Sequence, residues 1–422
     1  MKVAVVGTGI SGLAAAHGLC KDHEVTVFEA AEWVGGHTNT VDVDGPDGEL
    51  AIDTGFIVFN LKTYPRFCRL MRELGVAWKS SDMSFSVRCD ESGLEYNGTS
   101  LDGLLAQRRN ALRPSFWRMV RDIFRFYREA PAALQGGEDD TTLGEFLERG
   151  GYSRVFVEKH LIPMGAAVWS SRPETMRSFP LRFLVQFFHN HGFLQVDDRP
   201  EWLVIRGGSR SYVEPLTRSF RDRIRTRTPV ELVERIPGGV RLRTGDGEQA
   251  VFDRVVLATH ADTSLRMLAD ASELQRSVLG AFSYQRNEAV LHTDPSMMPR
   301  RRRAWASWNY HVSNPPSELP TVTYWMNNLQ RLRATDPYMV TLNRTAEIDP
   351  ASVIRAFVYH HPVYSAAAVR AQGRYAEVDG EGGVHFAGAY WGYGFHEDGV
   401  RSGQHAAERL AASGTGAVGA GT

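Results

Sequence analysis

The residues best suited to chemistry stand at the start of the chain: Gly7-Thr8-Gly9-Ile10-Ser11-Gly12, followed by an acid, Glu29, at about the 20-residue distance of a ribose-binding carboxylate. Gly7 permits a tight turn, Gly9 lets backbone approach a pyrophosphate, and Gly12 lets a helix close on a strand. Free N–H groups at the helix start then face phosphate oxygens. A second glycine turn, Gly35-Gly36, precedes His37 and Thr38, and Ala51-Ile52-Asp53-Thr54-Gly55-Phe56 reads as a short strand ending in a turn. A plain nicotinamide site does not need that second turn. FAD does, because its ribityl and ring parts run on past the pyrophosphate and need close backbone approach.

A second set of candidates lies near the C-terminus. Tyr390, Trp391 and Tyr393 would wall an apolar slot in front of a flavin ring, or else form ordinary core beside a glycine turn. Gly399-Val400, opening the last helix, would stabilise negative charge at the N1/C2=O edge. His396, Glu397 and Asp398 are adjacent and cannot easily converge on one metal, so no metal site is expected. An acid/base pair from His396 and Glu397, or a helix cap by Asp398, suits them better. His360-His361 reads as a proton relay or as a structurally satisfied pair.

The elements that must position these groups are strand, turn and helix in alternation. Lys2 to Val6 is a short apolar strand, Leu13 to Ala16 continues the helix that Gly12 opens, and Val25 to Phe28 is a second strand ending at Glu29. Trp202 to Ile205 is another strand, entering a glycine turn and a helix with Tyr212, Val213, Leu216 and Phe220. Thr228 to Val233 and Val240 to Arg243 pair across Pro237-Gly238-Gly239. Asp253 to Thr259 and Val384 to Gly388 are further strands, and a helix follows from about Gly399 through Arg409. These blocks predict a doubly wound, Rossmann-like α/β domain built from residues 1–79, 201–270 and 380–412.

Between the blocks lie two aromatic and basic excursions, 80–200 and 271–379, which would form an inserted α+β substrate domain. Arg113 to Glu129 reads as a helix with Phe116, Trp117, Val120, Ile123, Phe124 and Tyr127 on one broad face, packed on its own domain or resting on a membrane surface. Arg300 to Arg303 forms a basic cluster. Residues 413–422 are Gly, Ala, Ser and Thr apart from Val418, too little to form a core, and are expected to be disordered.

Composition bounds the rest. The 422 residues allow two or three domains and a large buried cofactor. A formal net charge of -1 gives no global attraction to nucleic acid or membrane. Cys20, Cys68 and Cys89 have neither disulfide-framework nor zinc spacing and suit a reducing cytoplasm. No secretory signal and no membrane-spanning run is readable, so a cytoplasmic protein, at most peripheral on a membrane, is expected.

The N-terminal glycine fingerprint with Glu29, Gly35-Gly36, Asp53-Thr54-Gly55, Arg206-Gly207-Gly208 and Phe386-Ala387-Gly388 followed by Gly399-Val400-Arg401-Ser402-Gly403 resemble the flavin-containing amine oxidase superfamily, which includes monoamine oxidase, protoporphyrinogen oxidase and phytoene desaturases. Trp325 to Gln330, His360-His361-Pro362 and Gly392 to Gly399 are similar to a bacterial branch of predicted NAD/FAD-binding proteins associated with cyclopropane-fatty-acid-synthase-like methyltransferases. The resemblance implies a non-covalent FAD, held at Gly7, Gly9, Ile10, Ser11, Gly12, Glu29, Ala30, Gly35, Gly36, His37, Thr38, Thr54, Gly55, Val230, Ala258, Gly388, Gly399 and Val400. It implies oxidation or double-bond isomerisation of a fatty acyl or other lipid chain, with amine oxidation and service as a flavin-stabilised partner of a lipid methyltransferase as the alternatives. Two departures stand out. Gln285-Arg286-Asn287-Glu288 occupy the place of the flavin-proximal Lys of amine oxidases, and Ala389-Tyr390 stand where an acid often follows Phe-Ala-Gly.

Overall fold

The computed structural model describes residues 1–135 and 141–415. Its organising layer is a five-stranded parallel sheet in the order Ile224–Arg225, Glu24–Phe28, Lys2–Val6, Arg254–Leu257 and Val384–Phe386. Lys2–Val6 is central, with Val5 opposite Val27 on one side and Val256 on the other. Its valines and Ala4 are buried, as suits a strand covered on both faces. The helices Ile10–Leu19 and His396–Thr415 pack on one face, and an antiparallel sheet of Val230–Ile236, Gly239–Thr244 and Gln249–Phe252 is associated with the other. This is the doubly wound α/β arrangement that the sequence predicts.

A second, seven-stranded sheet runs Val353–Val363, Ser283–His292, Met339–Leu342, Val322–Trp325, Trp308–Val312, Phe85–Cys89 and Leu94–Asn97. Residues from both excursions therefore meet in one sheet. The only parallel pair in it joins Trp308–Val312 to Phe85–Cys89, where the two excursions touch. Helices including Pro114–Glu129, Ile162–Trp169 and Leu181–Asn190 share its core.

Four sequence-based expectations change. Trp202–Ile205 pairs with Phe59–Asn60 and Trp78–Ser80 in a separate small sheet and does not join the parallel one. The helix Pro114–Glu129 buries Phe116, Met119, Ile123 and Phe126, whereas Trp117 and Phe124 are exposed. The buried stripe follows spacings of three and four, so the apolar face is narrower than residue type alone suggests. The last helix begins at His396, three residues before Gly399. It runs to Thr415, so Ser413 to Thr415 are helical where disorder is expected, and the remainder of that tail lies outside the described residues. Among the described residues, no helix is long and apolar enough to cross a membrane, and Cys20, Cys68 and Cys89 are all free thiols.

Candidate active site

A cavity of about 910 Å³ runs from the glycine turn of the parallel sheet to the seven-stranded sheet, at the upper end of ordinary ligand pockets. Its first end is mostly backbone. Gly7 has φ +103, and a Cβ on Gly12 would lie 1.9 Å from the Gly7 carbonyl oxygen, so both positions require glycine. Gly9 faces open space and precedes the helix Ile10–Leu19, whose first turn has no side-chain cap. Uncapped N–H groups facing an open cavity form a phosphate cradle. Glu29 completes it. One of its oxygens accepts from the Thr8 N–H at 2.9 Å and the other from the Ala31 N–H at 2.8 Å, which fixes the carboxylate at the edge of the cavity.

The middle is lined by Gly35, Gly36, His37, Thr54, Gly55, Ala258 and Gly388, together with four imidazoles. His37 lies 4.9 Å from the Tyr359 ring, 5.4 Å from His361 and 6.3 Å from His260; His260 lies 6.2 Å from His360. Burial, reinforced by these neighbours, holds His37 well below the usual imidazole range and brings His260 and His361 down to about 4. His37, His260 and His361 are therefore neutral at pH 7 and present hydrogen-bonding nitrogens instead of charge. The Asn287 side-chain nitrogen, 3.0 Å from His361 Nδ1, also donates to the Ser170 carbonyl at 3.2 Å. Asn287 thus holds one imidazole in place from the neighbouring strand.

Behind this wall, Asp53 joins three parts of the chain. It accepts from Thr40 Oγ1 at 2.6 Å, from the Ser209 N–H and hydroxyl at 2.8 Å each, and from Gln330 Nε2 at 2.8 Å. Burial nevertheless pushes its carboxyl up to about 6. Thr54 and Gly55, next in sequence, are thereby fixed where they meet the cavity.

The far end is side chain: Met164, Val168, Trp169, Phe187, Trp308 and Tyr324, with Tyr393 across from them. Tyr393 packs 4.6 Å from Phe183 and 5.5 Å from Phe187, and its carbonyl accepts from Trp169 Nε1 at 3.2 Å.

Of the residues expected at the site, Gly7, Gly9, Ile10, Ser11, Glu29, Ala30, Gly35, Gly36, His37, Thr54, Gly55, Ala258, Gly388, Tyr390, Tyr393 and His396 line this cavity. The others are placed elsewhere. Gly12 lies behind the turn against Gly7, and Gly399 is pressed on Ile10 and Ser11, where a Cβ would come within 2.6 Å of Ile10 Cγ2. Val400 and Val230 are core. Thr38 is buried and bonded to Tyr212 and His396. Trp391 packs on Phe282 at 5.3 Å and Tyr375 at 4.9 Å, away from the cavity.

Glu397 is no acid/base partner of His396. Its two oxygens accept the Arg66 and Phe67 N–H groups at 3.1 and 2.9 Å and so cap the helix Pro65–Glu73. His396 stacks on Phe56 and bonds Tyr212 at 3.1 Å, and burial brings it down to about 3, which leaves it a neutral structural group. Asp398 does tie its turn to the helix start, accepting the Tyr393 and Phe395 N–H groups at 3.0 and 3.2 Å. The helix start that faces the cavity is Phe395-His396, with the Phe395 N–H already taken by Asp398, one turn ahead of the expected Gly399-Val400.

Sequence reasoning missed His260, Tyr284 and Tyr359 in the wall. His260 carried a signal. It follows the parallel strand Arg254–Leu257 at its C-terminal end, where open α/β sheets bind ligands.

The profile of the flavin-containing amine oxidoreductase family matches residues 10–411, and the chain belongs to that family. It is an FAD-dependent oxidoreductase. Solved structures with the same fold include putrescine oxidase bound to putrescine (17% identity, 98% of this chain and 99% of that one, TM-score 0.69). Cyclohexylamine oxidase from Brevibacterium oxydans IH-35A matches equally, at 17% identity over 98% and 99% of the two chains with a TM-score of 0.69. A fatty acid isomerase from P. acnes that produces CLA matches at 15% identity over 96% and 98%, with a TM-score of 0.64. The residues present fit the cofactor. The uncapped helix start would hold a pyrophosphate, the Glu29 carboxylate a ribose, and the backbone at Thr54-Gly55 and Gly388 lies where a flat ring would follow.

Proposed function

We propose that this oxidoreductase acts on a fatty acyl or comparable lipid chain, either removing hydrogen to create a double bond or moving a double bond already present. The observation that carries this is the wall beyond Gly388. It is apolar and aromatic, and its carboxylates are engaged elsewhere: Glu29 at the nucleotide end, Asp82 by Ser84, Ser307 and Asn328, and Glu201 by Ser80. Across that aromatic surface an acyl chain gains about 0.8 kcal/mol for each methylene it buries.

FAD, held non-covalently, supplies a two-electron hydride acceptor. The chain supplies the rest. Trp169, Phe187, Tyr324 and Tyr393 exclude water and hold the substrate carbon skeleton, while the neutral imidazoles of His260 and His361 are placed to carry a proton.

Amine oxidation is the second reading, favoured by the shared fold with putrescine and cyclohexylamine oxidases. Anaerobic reduction of the bound flavin separates the two. Acyl substrates of increasing length should reduce it with rising apparent affinity, or, for an isomerase, leave it oxidised while product analysis finds a moved double bond. Reduction by short amines alone, with peroxide formed in air, would overturn the lipid reading.

A further inference from the structure

We propose that the face formed by the helix Pro114–Glu129 and the turns before it docks on an anionic membrane surface, with the mouth of the cavity beside it. Four large apolar side chains stand out on this face: Leu112 is 87% exposed, Leu101 78%, Phe124 56% and Trp117 48%. They alternate with cations. Trp117, Arg121, Phe124 and Arg128 follow one another at spacings of four, three and four, and so form one outward stripe of the helix.

From Leu101 to Arg128 the chain carries seven arginines against two aspartates, Asp102 and Asp122. Asp122 is buried, accepting the Ser153 N–H at 2.9 Å and lying 3.4 Å from the exposed Arg121 guanidinium, and Asp102 is paired with Arg108, which leaves Arg109, Arg113 and Arg118 without a carboxylate partner among the described residues of this face. Glu129, at the end of the stripe, is held by Arg125 and Arg128. The turn Arg302–Ala304 packs against the helix Leu101–Leu104 and adds the exposed Arg301 and Arg303 to the same side. Because the whole chain has a formal net charge of -1, this positive charge is a local feature and does not reflect a basic protein.

The pattern suits a bilayer interface. Tryptophan, phenylalanine and leucine enter the headgroup boundary while the arginine stems lie along it and their heads meet phosphate. Each apolar side chain of the stripe is flanked by an arginine, so burying it brings a cation to the same anionic surface. A nucleic acid, for its part, does not require exposed leucine. The face is also continuous with the cavity. Phe124 lies 6.4 Å from the Tyr127 ring, and Tyr127 lines the cavity together with Arg199 and with Gly98 and Thr99, which lead directly into Leu101. The docking rests on the surface alone and holds whichever substrate the cavity takes.

The test is flotation of the FAD-loaded protein with phosphatidylcholine vesicles, with and without about one-third phosphatidylglycerol, at ~0.1 M salt. The protein should float with the anionic vesicles and stay behind with the neutral ones. Arg118→Ala with Arg121→Ala should lower the partition about 25-fold, roughly five-fold for each arginine. Trp117→Ser with Phe124→Ser should lower it at high salt as well as low. Arg118→Ala alone, at an exposed position, serves if a double variant loses its yellow colour. Absence of flotation by the wild type, equal flotation of the variants, or tighter binding to a short DNA duplex than to anionic vesicles would each overturn the proposal.

Discussion

From Gly7 to Glu29 the cavity wall is backbone fixed by glycine, whereas from Met164 to Tyr393 it is side chain fixed by aromatic packing. The first end recognises groups common to every molecule of its cofactor, phosphate and ribose. It uses backbone N–H groups, which every substitution short of proline keeps and can only displace. The second recognises shape, and each of its residues can be exchanged without moving the chain. Tolerance to substitution should therefore differ sharply along one cavity.

The harshest way to break that contrast is Gly12→Ala. The added Cβ meets the Gly7 carbonyl carbon and oxygen, neither of which can turn aside, so a loss of about 3 kcal/mol or more is expected. The purified variant should be colourless, and a yellow, fully loaded protein would sink the account of the turn. Glu29→Ala should be milder. It removes a hydrogen bond to a charged group worth about 1.5–3 kcal/mol, measured as FAD dissociation, with the fold retained.

Acidification strikes both ends. Burial brings His160 and His191 down to about 4 and His396 to about 3, each below its unfolded value near 6.5. Between those values the unfolded chain binds more protons, so stability falls as pH falls. At pH 5 one such imidazole costs about 2 kcal/mol relative to pH 7. Asp53 and Asp398, pushed up to about 6, act in the opposite sense, since the folded state binds more protons below that pH. The imidazoles outnumber them, and Tm should drop from pH 7 to pH 5. A Tm that rises over this range contradicts the assignment.

The smallest effect is the sharpest discriminator. Trp391→Phe should cost under about 1.5 kcal/mol and leave substrate affinity unchanged, because Trp391 packs on Phe282 and Tyr375 outside the cavity. Tyr393→Leu, two residues away, should change affinity while FAD is retained.

The same contrast decides what could be read from the sequence. The backbone end was legible because its requirements are local. A turn that only glycine can make, followed by a helix and an acid at fixed distance, is written in consecutive residues. The side-chain end was not. Tyr390, Trp391 and Tyr393 look alike in sequence, yet Trp391 points into the core, because its direction depends on Phe282 and Tyr375, residues far away in the chain. Glu397 looked like an acid beside a histidine, and only the arrival of the helix Pro65–Glu73 shows that its oxygens are taken. The exposure of Trp117 and Phe124 was equally hidden, since residue type does not say which stripe of a helix meets the core.

Gly399 and Gly403 press the last helix onto Ile10 and Ser11, with a Cβ on Gly403 falling 2.1 Å from the Ser11 carbonyl oxygen. Seen in the order of synthesis, the phosphate turn is among the first parts of the chain to leave the ribosome, yet its backing is among the last. A nascent chain that stops short of Gly403 has the glycines, the first strand, Glu29 and the helix Val213–Thr217, but lacks the last helix, the largest of the elements packed on the helix that carries the turn. Cofactor loading is therefore expected late in the life of the molecule, and a chain truncated before Gly399 should purify colourless. Yellow colour marks a chain that has been finished as well as folded.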